Sequence, residues 1–206
     1  MPVTHYFTLG NLSVPSAWIA FIVAFVVAYS AVRVRYGKKH AELLSDAFFY
    51  VVIVWKLSVL ITDFSSVIRS PMSIIYFDGG VVGFYLGLAF VAGKVLVDRK
   101  KGRLAADGLR VLFTSTVIVQ AVYQVMMVLL NDGQLVTQVV TIAVFGMFVV
   151  FYWIKDDGTR PFILLFMAVH VFVAAWQPAG VVGTPVIVTV LLGCLFMAVD
   201  WRNRNE

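Results

Sequence analysis

Few side chains in this 206-residue chain could do chemistry, and most of those lie inside apolar runs, where a polar group needs a reason to be. Lys56 is the sharpest case. In a helix starting near residue 45 it lies about eleven residues in, roughly 16 Å deep at about 1.5 Å per residue. An ammonium at that depth costs several kcal/mol. Two readings stay open: Lys56 faces a polar cavity and holds an anionic headgroup, or it is paired for structure with a carboxylate or helix carbonyls. Asp63 lies seven residues on, two turns along the same face, and would share such a cavity. Gln120 and Gln124 are four apart on one helix face, with Tyr123 and Asn131 adding polarity toward the same end. They read as glue between helices or as cavity lining. His170 is either a hydrogen-bonded core residue or a catalytic base.

The remaining candidates are small. Gly79, Gly83 and Gly87 recur every four residues, a spacing that lets another backbone approach closely. Asp78-Gly79-Gly80 could instead form a re-entrant bend offering backbone N–H groups to a headgroup. Cys194 is the single cysteine, so no internal disulfide or CxxC pair is available, and it reads as a small buried hydrophobe. No HExxH motif is present, and no second histidine or carboxylate stands at metal-ligand spacing from His170. No metal and no cofactor are expected.

The elements that must carry these residues are plain. Hydrophobic residues make up 61% of the chain and charged ones 13%, and mean hydropathy is +0.93. A water-soluble domain of that composition would expose more apolar surface than water tolerates. In a bilayer the backbone must satisfy its own hydrogen bonds, so the apolar runs predict helices. Seven are expected, at about 14–34, 45–64, 77–97, 108–130, 135–154, 161–176 and 181–200, forming one all-α transmembrane domain over 1–206. Gly37, Asp132-Gly133, Asp157-Gly158, Pro161 and Pro178 punctuate them. Met1 to Asn11 lacks the basic region of a signal peptide, so the first run is expected to stay as a helix.

Positive charge alternates between the gaps. Arg33, Arg35, Lys38 and Lys39 fill the first gap, and Lys94, Arg99, Lys100, Lys101 and Arg103 surround the third. Lys155 and Arg160 flank the fifth, and Arg202 and Arg204 sit in the tail. The second gap has only Arg69, and the fourth and sixth have no Lys or Arg. Basic loops stay cytoplasmic, which predicts an outer N-terminus and a cytoplasmic C-terminus. Tyr76, Trp153, Trp176 and Trp201 lie near run ends, where interfacial aromatics sit. The net charge of +5 therefore speaks of topology and anionic lipid rather than nucleic acid.

Several of these segments resemble the prolipoprotein diacylglyceryl transferase family. Phe7-Thr8-Leu9-Gly10 is similar to its Phe-x-Ile-Gly before the first helix. Trp55-Lys56-Leu57-Ser58 falls where the family has Gly-Arg-Ile/Leu-Gly. Pro71 and Phe77-Asp78-Gly79-Gly80 resemble its proline and Trp-Asp/Glu-Gly-Gly. Asp107 opens the fourth helix as an aspartate does there, and Gln134-Leu135 resembles the Gln-Leu of its His-Pro-Ser-Gln-Leu-Tyr-Glu segment. The likeness spans most of the chain, and no single motif is complete. It implies a bacterial plasma-membrane protein of lipoprotein biosynthesis, with phosphatidylglycerol as lipid and Lys56, Asp78, Gly79, Gly80, Gln120, Gln124 and Gln134 as its contacts, and Asp63, by its spacing from Lys56, is expected to join them.

The departures fall on the reactive groups. Phe84 stands at the family's histidine, Gln120 or Ala121 at the arginine of its Gly-Arg-x-Gly-Asn-Phe-x-Asn segment, and Gln124 near the asparagine. His170 and Gln177 replace the basic end of the sixth helix, Phe166 stands where a tyrosine is expected, and Asn131-Asp132-Gly133 replaces a larger outer segment. The family's reaction moves a diacylglyceryl group from phosphatidylglycerol to a cysteine thiol. That needs the phosphate charge offset and a base for the thiol, and glutamine cannot replace an arginine's charge. The expectation is a non-catalytic relative that binds an anionic phospholipid or a membrane protein partner. One alternative is a transferase with altered chemistry that uses Lys56 and His170, and the other is a small transporter.

Overall fold

The computed structural model describes residues 3–10, 12–70, 78–154 and 159–205. Pro71, Tyr76, Phe77, Lys155, Asp157 and Gly158, which entered the expectations above, lie outside them. Two short strands, β1 (Tyr6–Leu9) and β2 (Leu12–Pro15), precede α1 (Ser16–Tyr36) and α2 (Lys38–Leu57). Short turns α3 (Val59–Thr62) and α4 (Phe64–Arg69) lead toward α5 (Gly80–Lys100). Then come α6 (Ala106–Leu129), α7 (Leu135–Ile154), α8 (Thr159–Ala175) and α9 (Thr184–Asn205).

The chain is all-helical apart from the β1–β2 hairpin. Among the described residues, five helices are long and apolar enough to cross a membrane: 16–36, 38–62, 80–100, 106–129 and 135–154. The last two apolar helices are shorter, Arg160–Ala175 and Thr184–Asp200. Large apolar side chains such as Ile22, Val26, Phe90, Met147, Leu164 and Phe172 are exposed, as a lipid-facing surface requires. These features fit a multi-pass membrane protein.

Several boundaries differ from expectation: the third helix runs 80–100 and the last 184–205, and the first two differ in ways that bear on the site. Residues 14 and 15 belong to β2 rather than to a helix. The second helix starts at Lys38, directly after Gly37 turns the chain at φ 84°, because the polar residues that follow still favour helix. It slackens at Ser58, so Lys56 sits in the last turn of α2 rather than midway along a 45–64 span. Cys194 is exposed rather than buried, on an apolar helix whose outer face suits a thiol as well as a methyl group.

The chain divides into two compact units. The first combines residues 1–37 with 110–206, and the second spans 38–109. In the first unit α1 buries a stripe of Ser16, Ala20, Ala24 and Ala28, small residues one turn apart. Its core is aromatic, with Phe145, Phe148 and Phe166 meeting edge to face at centroid distances of 5.0 and 5.9 Å. One end of this unit is basic: Arg35 stacks 4.8 Å over the Tyr152 ring, and Arg160 pairs with Asp200. In the second unit the basic end holds Lys38, which pairs with Glu42, together with His40, which lies 3.4 Å from Asp107.

Candidate functional site

In the second unit, Gly79 and Gly80 meet the end of α2 where α5 begins. The glycine ladder is a close helix contact. A Cβ on Gly87 would stand 2.7 Å from the Val51 carbonyl oxygen, and one on Gly79 or Gly83 would run into the Ser58 hydroxyl. Gly79 N–H donates to the Trp55 carbonyl at 3.1 Å, and Ser58 Oγ donates to the same oxygen at 2.6 Å. A carbonyl has two lone pairs, so Trp55 has none left to continue the helix, which slackens one turn after Val54. The Trp55 indole N–H returns a bond to the Gly80 carbonyl at 2.9 Å. Asp78 Oδ1 accepts Gly80 N–H at 2.8 Å, and Gly80 takes a φ of 58° that glycine adopts without strain. The bend therefore spends the Gly79 and Gly80 N–H groups on the protein itself.

Lys56 lies directly beside this contact. Its side chain is half-buried, and Ile53, one turn before it, and its chain neighbour Leu57 are exposed apolar residues. Asp63 is exposed and closes α3, its N–H bonded to the Val59 carbonyl at 2.9 Å. The slackened turn at Ser58 lies between Lys56 and Asp63, so they do not share one unbroken helix face.

The candidates of the first unit build a buried polar chain. His170 and Gln124 are 0% and 1% exposed. His170 Nδ1 lies 2.9 Å from Thr189 Oγ1, and His170 Nε2 lies 3.1 Å from Gln124 Nε2. The Thr189 hydroxyl donates to the Pro185 carbonyl at 3.0 Å, so toward His170 it accepts. His170 then carries its proton on Nδ1, and Nε2 accepts from the Gln124 amide. Gln177 Nε2 extends the chain, 3.5 Å from Gln124 Oε1 and 3.3 Å from Thr141 Oγ1. The Thr141 hydroxyl closes it on the Thr137 carbonyl at 2.7 Å. The donors along this chain point in one consistent direction, and both His170 nitrogens are engaged by protein. Phe145 and Phe166 stand against the imidazole at 5.1 and 5.6 Å between centroids.

Gln124 and His170 are thus brought together. Gln120 is buried on the same helix, whereas Gln134 is exposed just before α7, its carbonyl accepting the Gln138 N–H. Thr141 and Thr189 escaped the sequence reading, although Thr137-x3-Thr141 and Pro185-x3-Thr189 have the spacing at which a threonine hydroxyl bonds back along its helix. Among the described residues no three His, Cys, Asp or Glu side chains gather as metal ligands do.

Sequence reasoning also missed the hairpin. Asn131 Oδ1 accepts from Thr4 N–H at 2.7 Å, His5 N–H at 3.3 Å and the Ser16 hydroxyl at 2.8 Å, while its Nδ2 donates to the Met127 carbonyl. Asp132 N–H donates to Thr4 Oγ1, and His5 Nε2 lies 3.0 Å from Asp132 Oδ2. Two alternating runs joined by Gly10-Asn11 were the available signal. No family model matches the chain, and neither does any curated protein or solved structure.

Proposed function

We propose that this chain is a bacterial plasma-membrane protein that holds an anionic phospholipid at Lys56 without reacting with it. Seven crossings, the last two being α8 and the apolar part of α9, leave the N-terminus outside and the C-terminus in the cytoplasm. The basic residues that follow the first, third and fifth spans then face the cytoplasm, as positive charge in short loops requires.

The setting of Lys56 carries the reading. Lys56 sits half-buried in the last turn of α2, next to a strip of exposed Ile53 and Leu57 toward the outer end of the second span. Lipid tails pack along such a strip, and a lysine there extends toward the headgroups, where a phosphate answers its charge. Phosphatidylglycerol is the headgroup suggested by the resemblance to the prolipoprotein diacylglyceryl transferases. Three observations support binding without reaction. Both nitrogens of His170 are bonded inside the protein. The Gly79 and Gly80 N–H groups are likewise spent. Phe84 and Gln120 stand where the resemblance calls for a histidine and an arginine. A non-catalytic relative of that family, working beside lipoprotein biosynthesis, fits this set. The test is which lipid stays with the purified protein, and whether Lys56→Met releases it.

A further inference from the structure

We propose that the N-terminal hairpin is a membrane-surface element whose apolar face rests on the outer lipid leaflet. The inference goes beyond the lipid site at Lys56 and rests on the reading of the chain as membrane-spanning. Two strands of four residues, two positions apart in the chain, make a ribbon that is marginal by itself. Its base is tied down: Asn131 holds Thr4, His5 and Ser16, and Ser16 N–H donates to the His5 carbonyl at 3.1 Å. Beyond that base, Tyr6 and Phe7 are 63% and 39% exposed, Thr8 and Ser13 are exposed and Val14 is half-buried.

The register shows what would cover it. Phe7 pairs with Val14 and Leu9 with Leu12, while Tyr6 pairs with Pro15 and Thr8 with Ser13. Cross-strand partners share a face and successive residues alternate, so the backbone assigns positions 7, 9, 12 and 14 to one side, all apolar in sequence. Positions 6, 8, 13 and 15 make the other side, with Tyr6, Thr8 and Ser13.

Exposed strand edges in water are usually guarded by charge, and residues 6–15 contain no Asp, Glu, Lys or Arg. An uncharged ribbon with one apolar face and a tyrosine on the other suits the headgroup layer, where amphipathic aromatics settle. The ribbon also runs straight into the lipid-facing side of α1, whose exposed Trp18, Ile22 and Val26 follow Ser16. That continuity favours a lipid surface over a second protein.

The test labels single cysteines in the full-length Cys194→Ser protein, reconstituted in vesicles of phosphatidylethanolamine and phosphatidylglycerol. An environment-sensitive fluorophore is placed at Val14→Cys on the apolar face, at Ser13→Cys on the opposite face, and at Val26→Cys in α1. Lipids bearing a nitroxide near the headgroup should quench Val14 and spare Ser13, and aqueous iodide should do the reverse. Val26 should resist iodide and be quenched by nitroxides deep in the chains. A Val14 label quenched by iodide, with Val26 still in lipid, overturns the hairpin proposal and leaves the membrane reading standing. A Val26 label open to iodide overturns both. A Val14 label shielded from both quenchers marks a protein-covered face and also overturns the proposal.

Discussion

Gln124→Met removes the amide that donates to His170 and keeps the side chain's length and apolar bulk. The His170 Nε2 lone pair is then left without a donor at a position that is 0% exposed. An unsatisfied buried acceptor costs about 1–3 kcal/mol. Polar contacts between membrane helices average nearer about 0.6 kcal/mol, so a loss of about 1–2 kcal/mol is expected. His170→Phe places a ring between Phe145 and Phe166 and strands the Gln124 amide instead, at similar cost. The double variant removes both halves of the bond. Thr189 keeps its bond to the Pro185 carbonyl, and Gln177 keeps Thr141. Replacing both partners by apolar groups can be nearly neutral, so the double variant should be more stable than the sum of the singles by about 1 kcal/mol. Reversible unfolding in mixed micelles, followed by tryptophan fluorescence, gives the four free energies. Additive losses, or singles indistinguishable from the parent, would refute the directional chain and return His170 to the list of reactive candidates.

Two further outcomes test the packing. Gly87→Ala pushes a methyl group against the Val51 backbone, which cannot swing aside, and should cost about 1–3 kcal/mol. Gly93→Ala on the same helix meets nothing within 4 Å and should be neutral or stabilise by roughly 0.5–1 kcal/mol; equal effects at the two sites in the same unfolding assay would contradict the α2–α5 contact. Asn131→Ala leaves the buried Ser16 hydroxyl without its acceptor, at about 1–3 kcal/mol. Amide exchange should accelerate at Thr4 and His5 and stay slow in the α6 core, and unchanged protection at Thr4 would contradict the latch.

How much the sequence disclosed depended on the range of the physics involved. Leu135–Ile154 has the expected limits, because an apolar run bounded by Asp132-Gly133 is a local signal. The glycine ladder was legible for the same reason, since spacing alone announces a close approach. The slack turn at Ser58 was not legible: it arises because Gly79, twenty-four residues after Trp55, takes the carbonyl that the helix needed. The bond between Gln124 and His170 joins residues forty-six apart, and spacing on one helix cannot announce a partner on another. The hairpin was different. Its alternating pattern was present, and the long apolar run beginning at Ala17 drew residues 14 and 15 into the expected helix.

Native mass spectrometry of the protein released from its own membrane reads the lipid at Lys56 without a reporter. A retained anionic phospholipid is expected, enriched over phosphatidylethanolamine and with its headgroup intact, that is lost in Lys56→Met and kept in the Lys94→Met control at the basic end. Retention of the same lipid by Lys56→Met, or recovery of zwitterionic lipid alone, would contradict binding at Lys56.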